Sequence, residues 1–136
     1  MNREELRNRT KQFAVRIVNL CRALPRTPEA RVIRDQMVRS TTSVAANYRA
    51  VCRARSKPDF ASKLAIVLEE ADETLFWLEL LVETNTVPVD RMTLLISEAN
   101  ELVCIFGAAE NAVRNQIGNP KSQIPNLASP IIHNES

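Results

Sequence analysis

The chain has 136 residues, 45% of them hydrophobic and 25% charged, which is typical of one globular domain. Only two residues are glycine, so little material is available for hairpin turns or for loops that cradle phosphate groups. This composition disfavours all-β folds and nucleotide-binding α/β folds. The formal net charge of +2 is small, but it averages over two halves of opposite sign.

The cysteines and the single histidine argue against a catalytic or metal centre. Cys21, Cys52 and Cys104 are widely spaced and form no C-x-x-C motif, so neither a disulfide framework nor a zinc site is predicted. The only histidine is His133, close to the C-terminus, where a Ser-His-Asp or Cys-His system is not expected. We therefore expect no catalytic residue, no metal and no cofactor.

Two further features concern location. Three of the first five residues are charged, and this start lacks the apolar segment of a signal peptide. The longest dense apolar stretch, residues 75–82, is far too short to span a bilayer. The expectation is a cytoplasmic protein with no membrane partner.

Prolines divide the chain into segments with helical periodicity. The first segment, about residues 3–24, carries apolar side chains at three-, four- and seven-residue steps and ends before Pro25. The second, about residues 28–54, starts with Thr27 as the predicted N-cap and a proline in the first turn. Both segments are predicted to be amphipathic helices.

The second half repeats this pattern. A third helix is predicted over residues 57–85, with Ser56 as its N-cap and apolar residues at steps of three and four. A fourth is predicted over residues 88–116, with apolar residues at near-heptad spacing. Long helices joined by short loops pack antiparallel, so the sequence predicts an all-α, up-down-up-down four-helix bundle over residues 1–118. Residues 119–136 contain three prolines and are expected to be a flexible tail.

The end of the third helix is apolar nearly all round, which is more than one stripe facing a bundle core requires. Either this helix is buried unusually deeply in its own bundle, or the extra apolar surface contacts another subunit. Aromatic residues are frequent anchors of subunit interfaces, so we expect a homo-oligomer. The predicted interface consists of Phe76, Trp77, Leu80 and Leu81.

Charge is strongly segregated along the chain. Residues 1–56 contain 13 Lys or Arg against 4 Asp or Glu, whereas residues 57–116 contain 4 against 11. On the second helix four arginines fall within about 80° of one another, opposite the apolar face. With cations of the first helix they form a predicted nucleic-acid-binding face of Arg7, Arg9, Lys11, Arg16, Arg31, Arg39, Arg49 and Arg53. The alternative is that this face pairs with the acidic third helix, within the chain or between subunits.

Two polar clusters have structural interpretations. The acidic cluster of Glu69, Glu70, Asp72 and Glu73 suggests a metal site, but a ferritin-like di-iron bundle also needs Glu-x-x-His pairs on facing helices, and the only histidine is in the predicted tail. The cluster is therefore interpreted as a solvated face or as ion-pair partners. The hydroxyl run at residues 40–43 is expected to satisfy polar groups between helices or to bond back to helix carbonyls.

Two motifs carry a family resemblance. Residues 36–50 (QMVRSTTSVAANYRA), continued by residues 53–60 and 63–64, resemble the second helix of the bacterial four helix bundle proteins, also called 23S rRNA-intervening sequence proteins. Residues 70–81 (EADETLFWLELL) resemble that family's second hallmark. The resemblance covers roughly residues 8–116. One departure is that many members carry Glu-Gly where this chain has Arg49 and Ala50.

The resemblance implies an up-down bundle that assembles into a homopentameric barrel, and some members are encoded within large-subunit rRNA genes. The accessory variability protein of diversity-generating retroelements is similar, and that protein is a basic pentamer that binds reverse transcriptase and nucleic acid. Charge and resemblance together favour a non-enzymatic oligomeric scaffold that binds RNA, DNA or a ribonucleoprotein. The alternative is a protein–protein assembly module with no nucleic-acid partner.

Overall fold

The structure is a computed structural model that describes residues 1–118, which form four α-helices and no β-strand. The helices are α1 (Arg3–Arg22), α2 (Pro28–Val51), α3 (Lys57–Glu83) and α4 (Thr93–Gly118), with one 3₁₀ turn at Val89–Arg91. The all-α prediction is confirmed, and four helices joined by short loops are compatible with the predicted bundle. The predicted tail, residues 119–136, lies outside the described residues.

Local side chains define where three helices begin. The predicted N-caps Thr27 and Ser56 are confirmed, because each side-chain oxygen accepts a hydrogen bond from the backbone amide three residues on, at 3.2 and 3.1 Å. The start of α1 has a capping box that was not predicted. In it Asn2 Oδ1 accepts the Glu5 amide at 2.8 Å, and the Glu5 carboxylate accepts the Asn2 amide at 3.0 Å.

The first two helices end two or three residues earlier than predicted. α1 ends at Arg22 instead of residue 24, because Pro25 disfavours helical backbone at the residue before it. α2 ends at Val51 instead of residue 54. Beyond it the Arg53 and Ala54 amides donate to carbonyls three residues back, both at 3.0 Å, which is a tight turn and not α-helix.

The loop between α3 and α4 is longer than predicted, so α3 ends earlier and α4 begins later than expected. Asn85 has a left-handed backbone (φ 58°), and the Thr86 amide donates to the Leu81 carbonyl at 3.0 Å. This is a Schellman motif, and it stops α3 at Glu83 instead of residue 85. The 3₁₀ turn then occupies the predicted first turn of the fourth helix, so α4 begins at Thr93 instead of residue 88.

One hydrophobic core fills the space between the helices. α2 packs on α1 and α3, and α4 packs on α3, whereas the contact between α1 and α4 is sparse. The Tyr48 and Phe106 rings, with centroids 5.6 Å apart, join α2 to α4 across the core. The largest side chains that are almost completely buried are Ile17, Met37, Leu64, Leu78, Leu81, Met92, Leu102 and Phe106.

The hydroxyl run of α2 has both predicted roles. The buried Ser40 hydroxyl lies 2.8 Å from the Thr74 hydroxyl of α3, so this polar pair is satisfied between helices. Thr42 lies on the exposed side and its hydroxyl donates to the Val38 carbonyl at 2.7 Å. Thr41 is completely buried and its hydroxyl has no partner within residues 1–118.

None of the helices within residues 1–118 is long and apolar enough to cross a membrane.

Candidate nucleic-acid interface

The eight cations predicted to share one face lie on different sides of α1 and α2. Side chains four residues apart share a helix side, whereas a step of two residues turns the side chain by about 200°. On α1, Arg7 and Lys11 therefore point toward α2, and Arg9 points toward α4. On α2, Arg49 points toward α1, whereas Arg39 points toward α3. The prediction that all eight cations share one continuous face is therefore wrong.

Arg39 is paired within the chain. Its guanidinium donates to Glu70 at 3.1 and 3.2 Å and to Glu73 at 2.6 Å, which is the pairing with the acidic third helix that the sequence left open. Trp77 Nε1–H also donates to the Glu73 carboxylate, at 3.1 Å. The hydrogen bond from Arg39, with a smaller one from Trp77, holds the pKa of Glu73 below its ordinary value.

Arg9 is paired more completely. Its guanidinium donates to both carboxylate oxygens of Glu98 on α4, at 2.6 and 2.7 Å, and also to Glu101. These hydrogen bonds raise the pKa of Arg9 above its ordinary value. The two parallel hydrogen bonds from Arg9 to Glu98, here called the fork, join α1 to α4, which otherwise contact each other little. Only 23% of the Arg9 side chain is exposed.

Four of the predicted cations surround a single groove. Arg7 and Lys11 of α1, Arg49 of α2 and Arg53 in the turn after α2 line a depression of about 1000 Å³, here called the α1–α2 groove. All four side chains are exposed, and none makes an ion pair within the described residues. Its other lining residues are small, polar or acidic: Asn2, Glu4, Glu5, Asn8, Ala14, Thr42, Ala45, Ala46 and Ala50.

The remaining two predicted cations lie apart from the groove. Arg16 is seven residues beyond Arg9, which places it on the α4-facing side of α1. Arg31 is 18 residues before Arg49, about 27 Å along α2 at 1.5 Å per residue. Both are exposed, and neither lines the groove.

Four further cations, which were not predicted as site residues, lie at one end of the molecule. Arg53 also lines a second depression with Arg55 and Lys63, and Arg55 lines a third with Arg3 and Lys57. An up-down topology brings the start of α1 and the α2–α3 loop to the same end of the bundle. The predicted topology is therefore the sequence signal that could have placed these cations together. A helical-wheel argument overlooks these residues because most of them lie at helix ends or in the loop.

The predicted interface on α3 is only partly at the surface. Phe76 is 51% exposed, and its ring lies edge-on to Trp77 with centroids 4.9 Å apart. Trp77 and Leu80 are half-buried, with Leu80 on the same side of the helix as Phe76. Leu81 is a correction: it is completely buried in the core, because its position on the helix wheel faces the neighbouring helices.

The acidic cluster of α3 is largely committed to structure. Glu70 and Glu73 hold Arg39, whereas Glu69 and Asp72 are exposed. Within residues 1–118 no group of three or more His, Cys, Asp or Glu side chains lies close enough to hold a metal ion.

These features define an all-α helical protein in which a basic first half pairs in part with an acidic second half and leaves one cationic groove open. The 23S rRNA-intervening sequence protein family matches residues 3–107, which is most of the chain. The chain belongs to this family, and the resemblance seen in its two motifs is confirmed.

A similar solved structure supports the fold. It is a protein of unknown function from the S23 ribosomal protein family of Bacteroides thetaiotaomicron VPI-5482, and it shares 34% sequence identity with this chain. The two align with a TM-score of 0.73 over 81% of this chain and 98% of the other. A search of curated proteins finds no match.

Proposed function

We propose that this chain is a non-enzymatic, homo-oligomeric four-helix-bundle scaffold that binds nucleic acid, or a ribonucleoprotein, through the α1–α2 groove. The observation that carries the proposal is the contrast between the cations. Arg9 and Arg39 are neutralised by carboxylates of α4 and α3, whereas Arg7, Lys11, Arg49 and Arg53 converge on one groove with no ion pair within residues 1–118.

The chemistry of the groove fits a phosphate backbone. Guanidinium groups form paired hydrogen bonds to phosphate oxygens, and three of the four cations are arginine. Alanines line the groove between these cations, so a bound strand meets few bulky side chains. Clustered like charges repel one another, and an anionic ligand relieves that repulsion.

The family supports RNA as the first ligand to test. The name of the matching family refers to an intervening sequence of 23S rRNA. The expected site is a non-specific one, because contacts to phosphates position a ligand without reading its bases.

Fluorescence anisotropy of a labelled, structured RNA against protein concentration, repeated over a salt series, tests the binding. We expect the logarithm of the affinity to fall linearly with the logarithm of salt concentration, with a slope of about −3 if four phosphates are contacted. Absence of binding even at low salt would contradict the proposal.

The oligomer is proposed from the side of α3 that carries Phe76. This ring is half exposed and lies beside the half-buried Trp77 and Leu80, which gives an apolar surface suited to a second copy of the chain. The family resemblance implies a pentamer. Sedimentation should show an oligomer, and Phe76→Asp should lower its mass. Leu94→Asp is the control, because Leu94 is 76% exposed but lies on α4. A wild-type chain of monomeric mass would overturn this part of the proposal.

The second candidate is a protein–protein assembly module with no nucleic-acid ligand. The pairing of Arg9 and Arg39 with carboxylates favours it, because it demonstrates that basic and acidic surfaces of this chain fit together. On that hypothesis the groove cations pair with a second subunit. Reversing the charge of Arg49 and Arg53 would then dissolve the oligomer, whereas the scaffold hypothesis predicts an intact oligomer that no longer binds RNA.

A further inference from the structure

We infer that the nucleic-acid ligand is a single strand, and that it follows a bent cationic track from the α1–α2 groove around the α2–α3 turn to the end of the bundle beside Phe60. This inference rests on the proposed function and deepens it, because it names the class of nucleic acid and the path that it takes.

The track follows from three depressions that share lining residues. The α1–α2 groove shares Ala50 and Arg53 with a second depression of about 420 Å³. That depression shares Arg55 with a third of about 360 Å³, which lies between the start of α1, the α2–α3 loop and the end of α4. The three are therefore neighbours in a row, joined by arginines.

The charge along the row is strongly positive. Its Lys and Arg residues outnumber its acidic residues, which are Glu4, Glu5 and Asp59. Asp59 is already engaged, because its carboxylate accepts Lys63 Nζ at 2.5 Å and the Arg55 amide at 3.1 Å. Of the cations that line the row, those with no ion pair within residues 1–118 are Arg3, Arg7, Lys11, Arg49, Arg53, Arg55 and Lys57.

The last depression contains a surface on which a base can stack. The guanidinium carbon of Arg3 lies 5.6 Å from the centroid of the Phe60 ring, and both residues line this depression. Aromatic rings and guanidinium planes are the side-chain surfaces that unstacked bases pack against in single-strand-binding proteins. A base that is paired inside a duplex does not present its face in this way.

The bend of the track disfavours a duplex along its full length. Double-stranded DNA keeps its direction over about 150 base pairs, whereas this row turns from the side of one helix pair to the end of the bundle. A single strand makes that turn at little cost, whereas bending a short duplex costs free energy, so a single strand is the ligand expected to contact both the groove and Phe60.

The test compares a labelled single-stranded RNA of about 12 nucleotides with the same RNA annealed to its complement, titrated with the full chain. We expect the single strand to bind about tenfold more tightly or better. Arg55→Gln with Lys57→Gln should weaken single-strand binding and reduce the salt slope by about 1.4. Arg22→Gln with Arg26→Gln is the matched control, because these exposed cations lie at the other end of the α1–α2 hairpin.

Phe60→Leu separates stacking from charge. It keeps an apolar side chain on this half-buried position, so the fold is preserved while the ring is lost. Binding of the single strand should weaken about fivefold or more, with duplex binding unchanged. Equal binding of single strand and duplex, with the Arg55/Lys57 variant matching its control, would overturn the track and leave the proposed groove standing. No binding of either probe at low salt would overturn both.

Discussion

Arg39 and Arg49 lie ten residues apart on the same helix, yet they have opposite roles in the structure. Arg39 turns toward α3 and is held by Glu70 and Glu73. Arg49 turns toward α1, where it meets Arg7 and Lys11 across the groove. The neighbouring helix therefore decides whether a cation stabilises the fold or stays available to a ligand.

The same division holds on α1, where Arg9 is paired with Glu98 and Arg7 lines the groove without an ion pair within residues 1–118. An arginine in an ion pair stabilises the folded state, whereas several unpaired arginines close together repel one another and lower the free energy of unfolding. Stability alone gives no reason to gather four cations around one groove. Four predictions test this comparison.

The largest expected effect belongs to the groove. Replacing Arg49 and Arg53 by Glu should lower the affinity for RNA on the order of a hundredfold at low salt, because two phosphate contacts become repulsive. Thermal unfolding followed by circular dichroism should show an unchanged or slightly higher midpoint, since repulsion from Arg7 and Lys11 is relieved. A lower midpoint together with unchanged affinity would reverse the roles assigned to the two sets of arginines.

Arg9→Gln should have the opposite signature. Loss of its fork to Glu98 is expected to cost about 1 kcal/mol of unfolding free energy, or about 4 °C in the thermal midpoint, with RNA affinity unchanged. Arg16→Gln is the control, because Arg16 lies on the same side of α1 and makes no ion pair within residues 1–118. Equal midpoints for the two variants would mean that the fork contributes nothing measurable.

The Arg39 network predicts a pH dependence. The pKa of Glu73 in the folded state lies below its ordinary value of 4.5, so its contribution to stability is complete above pH 4.5 and is lost as pH falls through the lowered pKa. In Arg39→Gln the main cause of the shift is gone, so the folded-state pKa of Glu73 should rise toward its ordinary value and its pH-dependent contribution to stability should shrink. Trp77 is the only tryptophan and donates to Glu73, so its fluorescence reports the titration directly. Identical fluorescence midpoints for wild type and variant would contradict this account.

The smallest effect is expected at Arg31, which is open but distant from the groove. Since about 27 Å of helix separates it from Arg49, well beyond the screening length of about 8 Å, Arg31→Gln should change RNA affinity less than twofold. Anisotropy at physiological salt is the measurement. An effect as large as that of Arg49→Gln would show that total charge, and not position, governs binding.

The helices were predictable because their signals are local. The prolines and the capping side chains Thr27 and Ser56 lie within a few residues of the helix boundaries that they define. The helical periodicity of the apolar residues is likewise a property of neighbouring positions. At the end of α3 the sequence does not determine which side chains are buried, because residues 75–82 are apolar on nearly every side. Periodicity therefore does not separate the exposed Phe76 from the buried Leu81, and only the placement of the other helices does so.

The candidate site was predictable in composition but not in arrangement. A helical wheel gives the angle of Arg9 or Arg39 on its own helix, but not which neighbour lies on that side. The two pairings therefore depend on tertiary structure. Arg3 and Arg55 are a different case, since they meet only because the start of α1 and the α2–α3 loop share an end of the molecule.

The fork from Arg9 to Glu98 has a consequence for the order of folding. Adjacent helices along the chain close over short loops, but Arg9 and Glu98 are separated by 89 residues and join helices that otherwise touch little. Closing such a long loop is entropically expensive, so this junction should form late, after the hairpins. Because α1 packs on α2 and only sparsely on α4, we expect it to open first in the native state, so its amide hydrogens should exchange with solvent faster than those of α2 and α3.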